Sequence, residues 1–161
     1  MKEQIDIYPE LFEYYPSNGI IEIYNCVNRS CSDFESLLCI CKFFAKQGKH
    51  CILLPKSLHH KSQEYKFVFG ELFGTKYERK CPDLKIDNYF YEYEGFISNN
   101  PKKTFCNMIA RGIKQSNRII INECKIGRAW ARRYLYDRFL NGDDIKEVWM
   151  LTQIGNVTRL F

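Results

Sequence analysis

Long hydrophobic runs are missing from this chain. Its apolar runs, such as residues 51–55 and 119–121, are strand-sized and fall far short of the roughly 20 residues a membrane-spanning helix needs. No membrane partner is expected. The first residues, Met1-Lys2-Glu3-Gln4-Ile5-Asp6, carry acids and lack the apolar core of a signal peptide, so the expected location is the cytoplasm. Neither a glycine-rich phosphate loop, nor a Ser-His-Asp order, nor a nucleotide-binding fingerprint is present, which sets aside kinases, serine hydrolases and dehydrogenases. There is no Cys-x-x-Cys and no histidine pair at zinc-finger spacing. The eight cysteines sit mostly in apolar segments, as in Leu38-Cys39-Ile40-Cys41, and read as small buried hydrophobes; Cys26 and Cys31 stand apart from that pattern. His59-His60 falls in a polar loop with no acid or cysteine at ligand spacing.

What is present is enough for one domain. With 161 residues and 45% hydrophobic composition, the chain can bury a full core unaided, and it is short for two domains. The prolines at 9 and 16 and the pair Asn18-Gly19 mark residues 1–19 as an irregular lead-in. A strand is expected at 20–24. Ser32-Asp33-Phe34-Glu35 fits a capping box, with Ser32 as N-cap and Glu35 at N3, opening a helix with apolar residues at 34, 37, 38, 41, 44 and 45 and ending at Gly48. Residues 50–54 form a buried strand closed by Pro55. The segment 64–74 is open between strand and short helix. Strands at 84–86 and 89–96 join through Asp87-Asn88, Pro101 starts a helix running to about 115, and 118–122 is another buried strand. A helix at 126–140 and a hairpin from 145–151 and 157–161 complete the order. The expected class is α/β, a single domain with a mixed sheet flanked by helices.

The hairpin carries the most informative chemistry. If Asp87-Asn88 is a two-residue turn, Ile86 pairs with Tyr89, and counting back sets Asp83 across from Glu92. Alternation then puts Glu94 on the face of Glu92, between Phe90 and Phe96. Like charges so placed repel unless a proton or cation lies between them, and hard oxygen donors at this spacing suit Mg²⁺ or Mn²⁺. The bland alternative is an exposed hairpin whose acids face solvent. Tyr89, Tyr91 and Tyr93 on the other face fit either reading.

Glu35, the segment Cys81-Pro82-Asp83-Leu84-Lys85-Ile86-Asp87, Glu92-Tyr93-Glu94 and the run from Arg111 through Ile121 together resemble the PD-(D/E)xK nuclease superfamily. The nearest branch by pattern is the tRNA-cleaving C-terminal toxin domain of CdiA proteins, with small proteins of Bacteroides-like mobile elements showing a similar pattern. The resemblance spans roughly residues 30–122 and rests on short motifs. It implies a restriction-endonuclease-like core, a metal-dependent phosphodiesterase acting on RNA, with tRNA favoured, and a site in which Asp83 and Glu92 hold Mg²⁺ or Mn²⁺, Glu94 completes the coordination and Glu35 reaches in from the first helix. This sequence departs from the motif where its lysine belongs, two residues after the second acid: Glu94 stands there. In such folds the next helix can supply the lysine, and Lys103, Asn107, Arg111 and Lys114 recur there along one face. Lys114 or Arg111 is then the expected charge stabiliser.

The formal charge of +5 is unevenly spread. Lys102, Lys103, Arg111, Lys114, Gln115 and Arg118 lie in an acid-free stretch that suits a phosphate backbone, and Lys125, Arg128, Arg132, Arg133 and Arg138 load the following helix. Ile126, Trp130, Tyr134 and Leu135 recur at helical spacing, which favours core over base stacking. Two other readings stay open: a degenerate nuclease fold that only binds nucleic acid, and an interaction protein that docks an immunity or mobile-element partner through its acidic hairpin.

Overall fold

The computed structural model describes residues 5–95 and 98–161. Five elements span the first half: β1 (Pro9–Tyr14), β2 (Ile20–Tyr24), α1 (Phe34–Ala45), β3 (His50–Leu53) and α2 (Gln63–Phe69) with a 3-10 turn at Gly70–Leu72. β4 (Leu84–Ile86), β5 (Tyr89–Glu94), α3 (Pro101–Gly112), β6 (Arg118–Asn122), α4 (Arg128–Leu140), β7 (Glu147–Leu151) and β8 (Val157–Arg159) follow. The eight strands make one mixed sheet in chain order. β2 runs parallel to β3, and β5 to β6 and β7, while the β3–β4–β5 connections are antiparallel. All five strands β2, β3, β5, β6 and β7 therefore point the same way. The chain is a single α/β domain with four helices, and no helix among the described residues is long and apolar enough to cross a membrane.

Helix α1 covers one face of the sheet because its apolar positions recur every three or four residues. Phe34, Leu37, Leu38, Ile40, Cys41, Phe44 and Ala45 are all buried there against Ile21, Ile23, Cys51, Leu53, Leu84, Ile86, Tyr91 and Tyr93. Gly48 takes φ +84 to end the helix, and Gly19 is fixed by contact, since a Cβ there would lie 1.7 Å from the Ala45 carbonyl oxygen. Alternation sends Ile119 and Ile121 to the other face, where α3 and α4 bury Phe105, Met108, Ile109, Ala131 and Leu135. Helix α2 covers the same second face farther along, packing Tyr65, Val68 and Phe69 over Ile52 and Phe90. Tyr91 and Tyr93 of β5 thus serve the α1 core, while Tyr89 is exposed, and the strand's acids share the face of Phe90.

Two expectations need correction, and one open segment is resolved. Residues 9–14 are a strand, not lead-in: β1 pairs with β2 through backbone bonds, with a bulge between Leu11 and Glu13. As an edge strand it is largely exposed, so it has little apolar alternation to reveal it, and Pro9 opens it where no N–H is missed. Asp33, not Ser32, is the N-cap of α1, and its side chain makes no capping bond, so the capping box does not form. The open segment 64–74 is α2 followed by the 3-10 turn, capped by Ser62, whose hydroxyl accepts from the Tyr65 N–H at 3.0 Å. The eight cysteines are free thiols, with Cys41 and Cys51 fully buried and Cys26 exposed. Phe96, expected to end β5, lies outside the described residues.

Candidate functional site

The carboxyl ends of β2, β3 and β5 lie toward one edge of the sheet, and β4, running the other way, begins there. Chain segments leaving or entering the sheet at that edge meet in a crevice, the usual place for a site in an α/β sheet. Four acids and one lysine converge on it. The β4–β5 register pairs Ile86 with Tyr89 and Leu84 with Tyr91, and continuing it sets Asp83 opposite Glu92, as counted from the sequence. Of the turn pair, only Asp87 adopts a positive φ, 51°; its carboxylate accepts from the His50 N–H at 3.0 Å and pairs with Lys49 at 2.9 Å.

Asp83 is 3% exposed. Its backbone carbonyl accepts from the Leu54 N–H at 3.0 Å, and its Oδ2 accepts from the Tyr93 N–H at 3.0 Å, so the side chain extends the ladder past the end of β4. The free oxygen, Oδ1, lies 3.1 Å from Lys56 Nζ. That ammonium is also 3.4 Å from Asp33 Oδ2. Glu94 is buried, with Oε2 3.5 Å from Arg111 Nε. Glu92 has no such relief: its Oε2 is buried without a hydrogen-bond partner. Burial, followed by the charges of Asp83 and Glu94, pushes the Glu92 carboxyl up to about 10, against which Lys56 acts only weakly. Burial also raises Asp83, where Lys56 and the Tyr93 N–H oppose it, and Glu94, where Arg111 opposes it. An acid that cannot easily ionise beside two others is a group awaiting more positive charge.

Two clefts flank this cluster and share Lys56, Asp83 and Glu92. One, of about 280 Å³, is completed by Asp33, Glu94 and Arg111; the other, of about 580 Å³, by His59, His60, Arg79, Lys80 and Gln115 among others. In this arrangement no three His, Cys, Asp or Glu side chains among the described residues converge at metal-ligand spacing. Lys56 stands against Asp83 where a cation would be needed. The donors nevertheless fit a hard cation in kind: carboxylate oxygens only, one of them buried and unpartnered.

Of the residues singled out in the sequence, Asp83, Glu92, Glu94 and Arg111 line the first cleft and Gln115 the second. Glu35 is exposed on α1 and lines neither cleft. Lys102 sits over the Trp130 ring at 5.3 Å, and Lys103 on α3 and Lys114, which follows it because the helix ends at Gly112 and not near 115, are exposed outside both clefts. Arg118 turns away to Glu147 at 3.8 Å and stacks over Tyr89 at 3.9 Å. Trp130 is held against Tyr134 and Phe105, as its spacing predicts. Sequence reasoning missed Asp33 and Lys56. The available signal for Lys56 was its place immediately beyond a buried central strand. For Asp33 there was none, because its partner is 23 positions away.

No family model matches the chain, and no curated protein or solved structure is significantly similar to it.

Proposed function

We propose that this protein is a divalent-metal-dependent nuclease that hydrolyses phosphodiester bonds, RNA being the favoured substrate and tRNA the favoured RNA through the PD-(D/E)xK resemblance alone. The observation that carries the reading is the buried, unpartnered Oε2 of Glu92, a cleft-lining acid with Asp83 and Glu94 beside it. Asp83, Glu92 and Glu94 would hold Mg²⁺ or Mn²⁺, which when bound supplies a Lewis-acidic charge that activates water and neutralises the phosphate.

The chain's own groups divide the remaining work. The Tyr93 N–H and the Leu54 N–H fix Asp83 on both sides, so its Oδ1 faces the cleft without a search through rotamers. Lys56 takes the role the motif's missing lysine leaves vacant, since it approaches the same acid from the end of β3 instead of from β5. With its side chain 46% exposed, it is free to swing from Asp83 to a phosphate oxygen and stabilise charge building there. Arg111 holds Glu94 and presents its remaining donors to the same cleft. Glu94 itself, in the lysine's place, is thereby an acceptor and not a donor.

The test is incubation of wild type and Asp83→Ala with labelled tRNA, other RNA, and single- and double-stranded DNA in Mg²⁺, Mn²⁺ or EDTA. Cleavage lost with EDTA and with Asp83→Ala is the expected result; wild-type rates in Asp83→Ala contradict the assignment. A second reading, a binding-only fold, is favoured by one observation, that Lys56 already neutralises Asp83. Intact nucleic acid in every lane, with a salt-sensitive mobility shift, would establish it instead.

A further inference from the structure

The basic stripe of α3 is the obvious nucleic-acid surface in the sequence, yet only its Arg111 reaches the acids, at Glu94, and the cations beside Asp83 and Glu92 come from elsewhere. The cleft of about 580 Å³ beside Asp83 and Glu92 is walled by the loop after β3 and by the segment before β4. It shares His60 and Arg79 with a neighbouring cleft of about 390 Å³, lined by Lys61, Lys66 and Phe73. Together they form one track leading away from the carboxylates over the N-terminal part of α2.

Charge along this track is one-sided. Lys56, Lys61, Lys66, Arg79 and Lys80 line it, and Glu78 is the acid among its walls beyond Asp83 and Glu92. Glu78 is already engaged, accepting from the Gly74 N–H at 3.1 Å. Among the described residues Lys61, Lys66, Arg79 and Lys80 have no carboxylate partner within 4.0 Å. Arg79 is exposed from a backbone at φ 72, and the next residue is pinned, its carbonyl accepting the buried Tyr65 hydroxyl at 2.7 Å. A strained non-glycine turn anchored by a core hydroxyl holds the backbone that carries this unpaired guanidinium at the groove.

Aromatic faces accompany the cations. The His59 and His60 rings are stacked with centroids 4.8 Å apart and planes at 25°, and Phe73 is 42% exposed farther along. Cations that track phosphates, interleaved with flat rings open to solvent, are what a single strand uses, because its bases are free to stack; a duplex hides those faces. On α3, by contrast, Lys102 is drawn onto Trp130.

We infer that this track, from Lys56 through His59, His60, Arg79 and Lys80 to Phe73, binds single-stranded nucleic acid and delivers it to the carboxylates. The inference rests on the proposed nuclease reading and specifies its substrate as unpaired. Apart from Arg111, the α3 stripe is then a bystander.

Anisotropy of a fluorescein-labelled, unstructured 12-nucleotide RNA and of its duplex, measured in EDTA so that nothing is cut, tests it. Wild type is expected to prefer the strand. Arg79→Ala/Lys80→Ala should weaken it on the order of 10-fold and lower the slope of log affinity against log salt by about 1.4, at about 0.7 per phosphate contact. Phe73→Ala should cost about 5-fold or more. Lys103→Ala/Lys114→Ala, which removes as many cations from exposed positions, should leave binding within about 2-fold, and circular dichroism should find all variants folded. Duplex bound as well as strand, or binding lost in the α3 variant and kept in Arg79→Ala/Lys80→Ala, overturns the track and leaves the nuclease reading standing. A wild type that binds no nucleic acid, and cleaves none in Mn²⁺, overturns both.

Discussion

Two acids toward opposite ends of the parallel strands show what distinguishes a structural carboxylate from a reactive one. Asp144, just before β7, accepts from the Tyr77 hydroxyl and the Asn117 amide, each at 3.1 Å, and has Lys76 at 3.5 Å. Glu92, in the second half of β5, has a buried oxygen with no partner and two acids for neighbours. Burial penalises both charges. At Asp144 the Asn117 and Tyr77 hydrogen bonds and Lys76 outweigh it and hold the carboxyl below its ordinary value. At Glu92 nothing does, and the carboxyl is driven up to about 10. A satisfied network fixes loops; a frustrated one stores a demand for positive charge that a ligand can meet.

Removing each acid should separate the two roles most sharply. Glu92→Gln is expected to lower Mn²⁺-dependent cleavage at least about 100-fold, as loss of a ligand should exceed the loss of an outer partner. Asp144→Asn should leave cleavage within about 3-fold and instead cost about 1 kcal/mol in urea unfolding. Equal effects on cleavage would erase the distinction.

Lys56→Met probes the lysine that bridges the frustrated cluster. Cleavage should fall on the order of 10-fold, within the range expected for a group stabilising transition-state charge indirectly. Stability should fall by about 1 kcal/mol, less than a fully buried pair would lose because the Lys56 side chain is 46% exposed. Unchanged cleavage kinetics would return the charge-stabilising role to Arg111.

The two acids should also tilt stability against pH in opposite directions. In EDTA the unfolded Glu92 releases its proton near its ordinary 4.5, whereas the folded chain keeps it until about 10. Between those values the native state holds the extra proton, so stability falls as pH rises, by at most about 1.4 kcal/mol per pH unit. Glu92→Gln should flatten that decline in denaturation curves at pH 6 to 9. Asp144, with its folded pKa depressed, contributes stability above its ordinary 3.8 that is lost as pH falls through the folded value. Asp144→Asn should therefore lower the neutral plateau and flatten the acid limb, leaving the alkaline decline unchanged.

The smallest effect belongs to Lys114. Exposed just past the end of α3 and outside both clefts, it should change cleavage less than about 2-fold when replaced by alanine. A large loss would mean that α3, not Lys56, supplies the missing cation.

Much of this comparison could be read from local pattern. Apolar spacing located α1, and a two-residue turn fixed the register that faces Asp83 with Glu92. What escaped had no local signal. β1 is held by backbone pairing at an edge, with its side chains mostly in solvent. The Ser32-x-x-Glu35 pattern invited a capping box, but the helix starts one residue later and frees the Asp33 carboxylate for Lys56. Lys56 itself meets Asp83 only because β3 and β4 are sheet neighbours, a long-range fact. The α3 stripe was legible and correctly periodic, yet periodicity alone does not tell which of its charges the fold turns toward the acids.

The most direct measurement is titration calorimetry of Mn²⁺ into wild type, Asp83→Ala and Asp144→Asn at pH 7. The account predicts saturable binding in wild type and Asp144→Asn and none in Asp83→Ala. No binding to wild type, or equal binding to all three, would contradict the claim that the unsatisfied carboxylates form a cation site.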